Sequence, residues 1–277
     1  MSTPDISADE LIAKYREEKI PRVKLAFADL DGVHRGKYVS LDKFASIAGG
    51  TAGFCDCVLG WDVNDQLYDN AKFTGWHTAF PDAKYRIDLA TERRLPDEDN
   101  TPLFIVDFEG NSDDGGGLHP ICPRNQLRRI LQKAEGMGHS VRMAFEYEFF
   151  IFDETPHTLR EKNYRDLTPL SPGNFGYSVI RNSALSDLFH EFMDFCDAMD
   201  FPIEGLHCET GPGVWEAALT VDDLPTSRLQ LAAPGPIPPA EMERTRQWMI
   251  SWDLLTPQST ADKLVDFVRQ DAAHQHA

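Results

Sequence analysis

The stretch from Arg142 to Phe152 constrains the fold more than any other part of the chain, because two glutamates alternate inside an apolar, aromatic run. Such a run is typical of a buried β-strand. Successive side chains on a strand point to opposite faces, so Glu146 and Glu148 share one face. If the strand is buried, the paired charges require a cation, a basic partner or a raised pKa. If it is an edge strand, both glutamates are solvated, and the stretch by itself leaves both interpretations open.

A second acidic segment spans residues 203–219. Glu209 and Glu216 flank a Gly-Pro-Gly sequence, which predicts a hairpin with both acids able to face Glu148. His207 lies two residues before Glu209 and is expected to line the same site. Carboxylate clusters suit Mg²⁺ or Mn²⁺, ions that neutralise phosphate oxygens during phosphoryl transfer. The two segments therefore predict a divalent-cation site and nucleotide chemistry.

These segments resemble the metal-binding acids of glutamine synthetase and its glutamate-amine ligase relatives. Upstream motifs extend the resemblance to roughly residues 8–223. They are Asp29-Leu30-Asp31-Gly32 with Arg35-Gly36-Lys37, similar to the small N-terminal domain of that family; Gly60-Trp61-Asp62, similar to its acidic active-site loop; and Asp88-Leu89-Ala90-Thr91.

The resemblance implies an α+β fold with three parts. A small N-terminal β-grasp domain would cover residues 1–112, and the first part of the catalytic domain, an antiparallel sheet with helices, would cover residues 113–223. Residues 224–277 depart from the family and are expected to form a Pro-rich linker with short helices.

The resemblance also implies a reaction, the ATP-dependent ligation of ammonia or an amine to the γ-carboxylate of glutamate through γ-glutamyl phosphate. Mg²⁺ or Mn²⁺ would be the metal. Glu148, Glu209 and Glu216 would hold it near the glutamate, and Glu146 would help to hold a metal near the ATP phosphates. His207 is assigned to substrate binding.

Asp62 matches the family's loop aspartate, which binds and deprotonates ammonium in the site of a neighbouring subunit. A homo-oligomer with sites shared between subunits is therefore expected. The alternative for Asp62 is a turn-capping role, because aspartate fits turns readily. Neither the size of the oligomer nor the choice between ammonia and an organic amine follows from the resemblance.

The composition excludes several partners. With 45 acidic and 27 basic residues the chain has a formal net charge of −18, and no basic patch is present that would attract a nucleic acid. The sequence has neither an apolar run of about 18 residues nor an N-terminal leader. We therefore expect a cytoplasmic location and no membrane partner. Five cysteines, including the isolated pair Cys55 and Cys57, lack the spacing of a zinc site and are expected to be reduced thiols.

Hydrophobic spacing predicts the elements of the first half. They are a helix that begins at a capping box on Ser7, a hairpin that turns at Asp31-Gly32, a helix over 41–48, a long irregular stretch over 51–99 and a strand over 102–108.

The same spacing predicts the elements of the second half. Residues 110–117 are expected to form a connector, and residues 153–175 a surface loop. A helix that begins at Pro123 is expected to pack an apolar face containing Leu127, Ile130 and Leu131 on the sheet. A second helix over 185–199 is expected to present a wide buried stripe of apolar residues.

The segments that the family places after Asp223 have no counterpart, so the chain as given is expected to be a weak ligase. The alternative from a different class is a non-catalytic family member that serves as a binding or assembly partner. Nucleotide-dependent product formation separates the two. A metal-dependent hydrolase is disfavoured because no nucleophile motif accompanies the carboxylates.

Overall fold

A computed structural model of the chain describes residues 7–68, 71–110, 117–171 and 173–223. The predicted tail over 224–277 and most of the connector over 110–117 lie outside these residues. The α+β class predicted from the sequence is confirmed. All described residues belong to one compact unit, Met1–Leu229, so the boundary at residue 112 stays a prediction.

The elements follow one another in this order: α1 (Ala8–Glu17), β1 (Arg22–Ala28), β2 (His34–Ser40), α2 (Leu41–Ile47), β3 (Ala52–Cys55), a first 3-10 helix (Asp56–Gly60), a second 3-10 helix (Trp76–Thr78), β4 (Asp82–Leu95), β5 (Thr101–Phe108), α3 (Pro123–Gly136), β6 (Arg142–Met143), β7 (Glu146–Phe150), α4 (Pro156–Glu161), α5 (Val179–Ser183), α6 (Ser186–Ala198), β8 (Ile203–Cys208), β9 (Val214–Leu219) and β10 (Asp222–Asp223). None of the helices among the described residues combines the length and the apolarity that crossing a bilayer requires.

The N-terminal half forms a five-stranded mixed sheet in the order β2-β1-β5-β4-β3. Strand β1 pairs parallel with β5, and the other neighbours pair antiparallel. Tyr15 of α1, Phe44 of α2 and Phe104 of β5 are fully buried and their rings contact one another. Burial of each such side chain contributes roughly 1.5–3 kcal/mol, so α1 and α2 are held mainly by this aromatic core.

Local signals set the ends of the first elements as predicted. The Ser7 hydroxyl accepts the N–H of Glu10, and the Glu10 carboxylate accepts the N–H of Ser7, which completes the capping box of α1. The predicted helix over 41–48 is α2, and the predicted strand over 102–108 is β5.

The β1–β2 hairpin is closed by a buried carboxylate. Asp29 accepts the N–H groups of Asp31 and Val33 and forms an ion pair with Arg35, whose Nε lies 2.8 Å away. Gly32 has a φ of +82°, a conformation that favours glycine. The turn was predicted, but Asp29 does more than cap it, because its charge also fixes Arg35.

The long irregular stretch predicted over residues 51–99 is wrong in large part. Strand β3 and the 14-residue strand β4 lie within it. Tyr85 and Ile87 of β4 are buried while Lys84 and Arg86 between them are exposed. The many charged residues belong to the outer face of a strand, which the composition concealed. The predicted surface loop over 153–175 likewise contains the short helix α4.

The second half of the described chain forms a three-stranded antiparallel sheet in the order β7-β9-β8, and β10 pairs separately with β6. Phe149, Trp215 and Cys208 lie side by side across its three strands. This row packs against α6, where the rings of Phe189 and Trp215 are 4.2 Å apart. The predicted helix over 185–199 is therefore confirmed as α6, with Phe189 and Cys196 buried.

Of the two interpretations left open for residues 142–152, the buried strand does not hold. Regular structure covers only β6 and β7, and β7 is an edge strand of its sheet in the part of the chain described. Glu146, Tyr147 and Glu148 are all exposed. The edge-strand interpretation applies instead, because apolar composition does not specify whether a second strand covers the outer side.

The predicted packing of α3 is wrong for two of its three named residues. Leu127 and Ile130 are exposed, the latter at 64%, and Leu131 is buried. Ion pairs of its arginines also fasten the helix, a contact that the hydrophobic spacing did not indicate. Arg128 lies 2.7 Å from Asp107 and 3.5 Å from Asp88, and Arg124 pairs with the same two aspartates. The network joins α3 to β4 and β5.

This network predicts the effect of Arg128→Met. Removal of the guanidinium leaves two partly buried carboxylates short of a partner, so the free energy of unfolding should fall by about 1–3 kcal/mol in urea titrations. Lys133→Met removes the same charge from an exposed position on the same helix and should change stability by less than about 0.5 kcal/mol. Equal losses in the two variants would contradict a specific role for the network.

Candidate active site

The three-stranded sheet aligns polar residues in one row. Glu148 of β7 lies opposite Glu216 of β9, and Glu216 lies opposite His207 of β8. Side chains alternate along each strand, so this row occupies the face opposite the Phe149 row that packs on α6. The acids therefore lie on one face of the sheet, since the apolar residues of the other face pack against α6.

Glu209 follows at the end of β8 and completes a cluster. His207 Nε2 lies 3.2 Å from a carboxylate oxygen of Glu209 and 4.0 Å from one of Glu216. Potential ligand atoms of these three residues all lie within 4.8 Å of one another, and each residue is partly buried. We refer to His207, Glu209 and Glu216 as the acidic cluster.

A tight turn positions Glu209. Its N–H donates to the carbonyl of Val214, and the N–H of Gly211 donates to the carbonyl of Glu209, both at 2.9 Å. Gly213 has a φ of +72°, and a Cβ at this position would lie 2.6 Å from the carbonyl oxygen of Ile151. The predicted Gly-Pro-Gly hairpin is present, and its last glycine is required sterically.

Hydrogen bonds hold the Glu209 carboxylate in its charged form. The N–H of Thr210 donates to it at 2.7 Å, and the hydroxyl of Tyr177 and the ring of His207 also donate. These bonds lower the pKa of Glu209 to about 2. A lowered pKa stabilises the fold above the ordinary value of 4.5, and that stabilisation is lost as the pH falls towards about 2.

Tyr177 is a site residue that no sequence pattern indicates. Its ring stacks on that of His207 with centroids 4.2 Å apart, and its N–H donates to the carbonyl of Cys208. Its φ of +60° is uncommon for an aromatic residue. The hydrogen bond with Glu209 and the surrounding negative charge raise the pKa of Tyr177. The residue lies in a polar loop, and only the tertiary structure brings that loop to β8.

Glu146 and Glu148 flank the acidic cluster without joining it. Glu148 is in register with Glu216, and Glu146 lies opposite Ala218 on the same face of β7. Both are exposed, and the group of mutually close ligand atoms in the described residues includes neither. Their exposure leaves room for the side chains to turn towards a bound cation, so a metal-binding role for both stays a prediction.

The donors of the acidic cluster fit a divalent cation. Carboxylate oxygens suit Mg²⁺ and Mn²⁺, and an imidazole nitrogen shifts the preference towards Mn²⁺. His207 was assigned to the substrate, and its distances to Glu209 and Glu216 also make it a possible ligand. A bound cation would also offset the repulsion between the two closely spaced glutamates.

Asp62 lies in the loop after the first 3-10 helix and is not part of the acidic cluster of its own chain. One carboxylate oxygen accepts the N–H groups of Asn64 and Gln66, at 2.8 and 2.9 Å. Arg35 donates to the carbonyl of Asp62 and forms an ion pair with Asp65. This geometry matches the turn-capping alternative. The action of Asp62 in a neighbouring subunit stays a prediction.

Known proteins share both this region and the fold. A family model described as the catalytic domain of glutamine synthetase matches residues 120–228, which contain the acidic cluster. Type-1 glutamine synthetase 2 of Dictyostelium discoideum is 41% identical over 215 residues, 77% of this chain and 40% of that protein. Glutamate-isopropylamine ligase of a Pseudomonas species is 31% identical over 209 residues, 75% of this chain and 45% of that protein.

A solved structure of GmaS in complex with ADP superposes with a TM-score of 0.58 at 20% identity, over 77% of this chain and 44% of that one. This likeness indicates a shared fold. The chain spans less than half the length of these two curated relatives, 40% and 45%.

The hydrogen bonds at Glu209 predict the outcome of Tyr177→Phe. The variant removes one donor to the carboxylate, so the pKa of Glu209 should rise from about 2 towards 4.5 without reaching it, because Thr210 still donates. A ¹³C NMR titration of the glutamate carboxyl groups measures this shift. Tyr164→Phe, the same change at an exposed tyrosine, should leave the pKa of Glu209 where it was. An unchanged pKa in Tyr177→Phe would contradict the hydrogen bond.

Proposed function

The chain belongs to the glutamine synthetase family, and on this premise we propose that it takes part in the ATP-dependent ligation of ammonia or an amine to the γ-carboxylate of glutamate. The family's catalytic-domain model and the ligase relatives support a glutamine synthetase-like ligase. In the proposed reaction the γ-carboxylate attacks the γ-phosphorus of ATP, ADP leaves, and the amine nitrogen then displaces phosphate from γ-glutamyl phosphate.

The observation that carries this proposal is the acidic cluster. Two glutamates and a histidine meet on the open face of a sheet whose other face is committed to the core. Such donors would hold Mn²⁺ or Mg²⁺, with Glu148 next to Glu216 in the same row. The cation would supply neutralisation of negative charge on the carboxylate and phosphate oxygens. Glu146, two residues before Glu148 on the same face of β7, is proposed to serve the metal near ATP.

The chain's own residues would order this site before any ligand arrives. Thr210 and Tyr177 fix the Glu209 carboxylate, and the stacked ring of Tyr177 fixes the plane of His207. Pre-set ligands lower the reorganisation that binding requires. The same negative surroundings favour a cationic acceptor such as ammonium or a protonated amine, which must then lose a proton before its nitrogen can attack.

We propose that Asp62 accepts that proton. It would do so in the site of a neighbouring chain of a homo-oligomer. Arg35, which pairs with Asp29 in the β1–β2 hairpin, donates to the carbonyl of Asp62 and so connects the Asp62 loop to that hairpin. One carboxylate oxygen of Asp62 caps the turn, and the other remains for a ligand. A cytoplasmic location agrees with glutamate and ATP as substrates and is part of the same proposal.

Binding of Mn²⁺ tests the acidic cluster directly. Glu216→Gln and Glu209→Gln should each weaken binding at least about tenfold, measured from the electron paramagnetic resonance signal of free Mn²⁺, because each removes a charged ligand. Glu148→Gln should weaken it as well. Glu204→Gln is the control, since it alters an exposed glutamate of the same strand β8. Equal weakening by Glu204→Gln would mean that Mn²⁺ binds to diffuse negative charge.

The reaction is tested by the formation of γ-glutamyl hydroxamate from glutamate, ATP and hydroxylamine in the presence of Mn²⁺. We expect a rate from residues 1–277 that depends on both ATP and Mn²⁺, because the acidic cluster supplies the donors for the cation. Glu216→Gln should lower that rate by about 10²-fold or more. No product at any enzyme concentration would favour the non-catalytic binding partner instead.

The sharing of sites is tested by mixing Asp62→Asn with Glu216→Gln chains in the same assay. Asparagine keeps the oxygen that caps the turn and removes the charge, so the loop should stay folded. Random assembly should restore about a quarter of the activity, because each intact site then needs one element from each variant. Asp65→Asn, a charge change in the same loop, should be active alone. Absence of restoration would place Asp62 in its own subunit or outside the reaction.

A further inference from the structure

Cys55 and Cys57 form a thiol pair at the start of the loop that carries Asp62. Their Sγ atoms are 3.1 Å apart, and Cys55 also lies 3.6 Å from the carbonyl oxygen of Phe80. Cys55 ends β3 and is partly buried, whereas Cys57 lies in the first 3-10 helix and is buried. This is the one hydrogen bond between two thiols in the described part of the chain.

The residue between the two thiols is fixed. Asp56 is buried, and its carboxylate accepts the hydroxyl of Thr74 at 2.6 Å and lies 3.2 Å from Nε2 of the buried His119. Thr74 belongs to the far end of the same loop. The contacts of Asp56 therefore anchor the backbone that carries both sulfurs.

Disulfide-bonded sulfurs are about 2.05 Å apart, so the two thiols need to approach by roughly 1 Å to bond. A disulfide across so short a segment is strained, and strained disulfides are the readily reduced kind. The geometry thus suits a bond that forms and is reversed, in contrast to a permanent crosslink.

From this geometry we propose that Cys55 and Cys57 are a reversible oxidation site that forms an intramolecular disulfide with hydrogen peroxide. The pair has no part in the proposed ligase chemistry, and the proposal does not depend on it.

The reaction balances in two steps. The Cys55 sulfur attacks one peroxide oxygen, the O–O bond breaks, and the leaving hydroxide takes a proton to become water, so that Cys55 becomes a sulfenic acid. The Cys57 sulfur then attacks the Cys55 sulfur, its proton and the hydroxyl leave as a second water, and the S–S bond forms. The two sulfurs lose two electrons in total, and the peroxide gains them.

The order of attack follows from exposure. Cys55 is only partly buried whereas Cys57 is buried, so Cys55 is proposed to meet the peroxide first. Burial, followed by the contact with Cys55, raises the pKa of the Cys57 thiol, so Cys57 remains protonated and acts second. Closure of the disulfide should accordingly become faster as the pH rises.

The test treats the native 277-residue chain with hydrogen peroxide, blocks remaining thiols with N-ethylmaleimide and digests with trypsin. The peptide from Phe44 to Lys72 contains both cysteines and no other. We expect it to change from doubly labelled to unlabelled and lighter by two hydrogen atoms, and to regain both labels after dithiothreitol. Cys122→Ser, which removes a buried thiol elsewhere, should give the same result.

Two variants separate the steps. Cys57→Ser should stop at the sulfenic acid of Cys55, which dimedone traps, and Cys55→Ser should lower the rate of oxidation of this peptide at least about tenfold. The proposal is overturned if both thiols remain labelled after methionines have been oxidised, if either pairs with another cysteine, or if Cys55 passes directly to the sulfinic acid. These readouts follow sulfur alone, so a failure of the ligase proposal would not affect them.

Discussion

Repulsion between neighbouring carboxylates is the constraint on which the candidate site depends. Glu209 and Glu216 approach the same imidazole, and Glu148 is the next residue in the row. Like charges at such distances raise the free energy of the folded chain unless donors or a cation offset them. Here Thr210, Tyr177 and His207 supply part of that offset at Glu209, and a divalent cation would supply the remainder.

The pairing register of one small sheet creates this arrangement. A shift of one residue would exchange the two faces and bury the acids in place of Phe149 and Trp215. The contact of Trp215 with Phe189 and the steric requirement for Gly213 both resist that shift. Hydrophobic packing on one side of the sheet therefore determines electrostatics on the other.

Ion pairs hold the other segments that matter for function. Asp29 and Arg35 connect the β1–β2 hairpin to the loop of Asp62, and Arg124 and Arg128 connect α3 to the N-terminal sheet. These groups are mostly buried or partly buried, so their charges are less screened than surface pairs. Because acidic residues outnumber basic ones in this chain, an arginine could pair with any of several carboxylates. The fold determines which of them it contacts.

The sequence by itself determined the features whose causes are local. The capping box of α1, the Asp-Gly turn, the stripe of α6 and the Gly-Pro-Gly hairpin each depend on residues a few positions apart, and the alternation of Glu146 and Glu148 follows from strand geometry alone. Such local spacing was enough to predict most of the order of the elements and the two acidic segments.

Only the tertiary structure decided the remaining features, because they depend on partners distant in the chain. Strand β4 is ordered by pairing with β5 despite its charges. Helix α3 contacts Asp88 and Asp107 through its arginines, while its apolar Leu127 and Ile130 are exposed. The same holds for the exposure of β7 and for the stacking of Tyr177 on His207. A local sequence pattern indicates the secondary structure and the environment that a residue favours. Its burial and its charge partners depend on the surface that the fold packs against it.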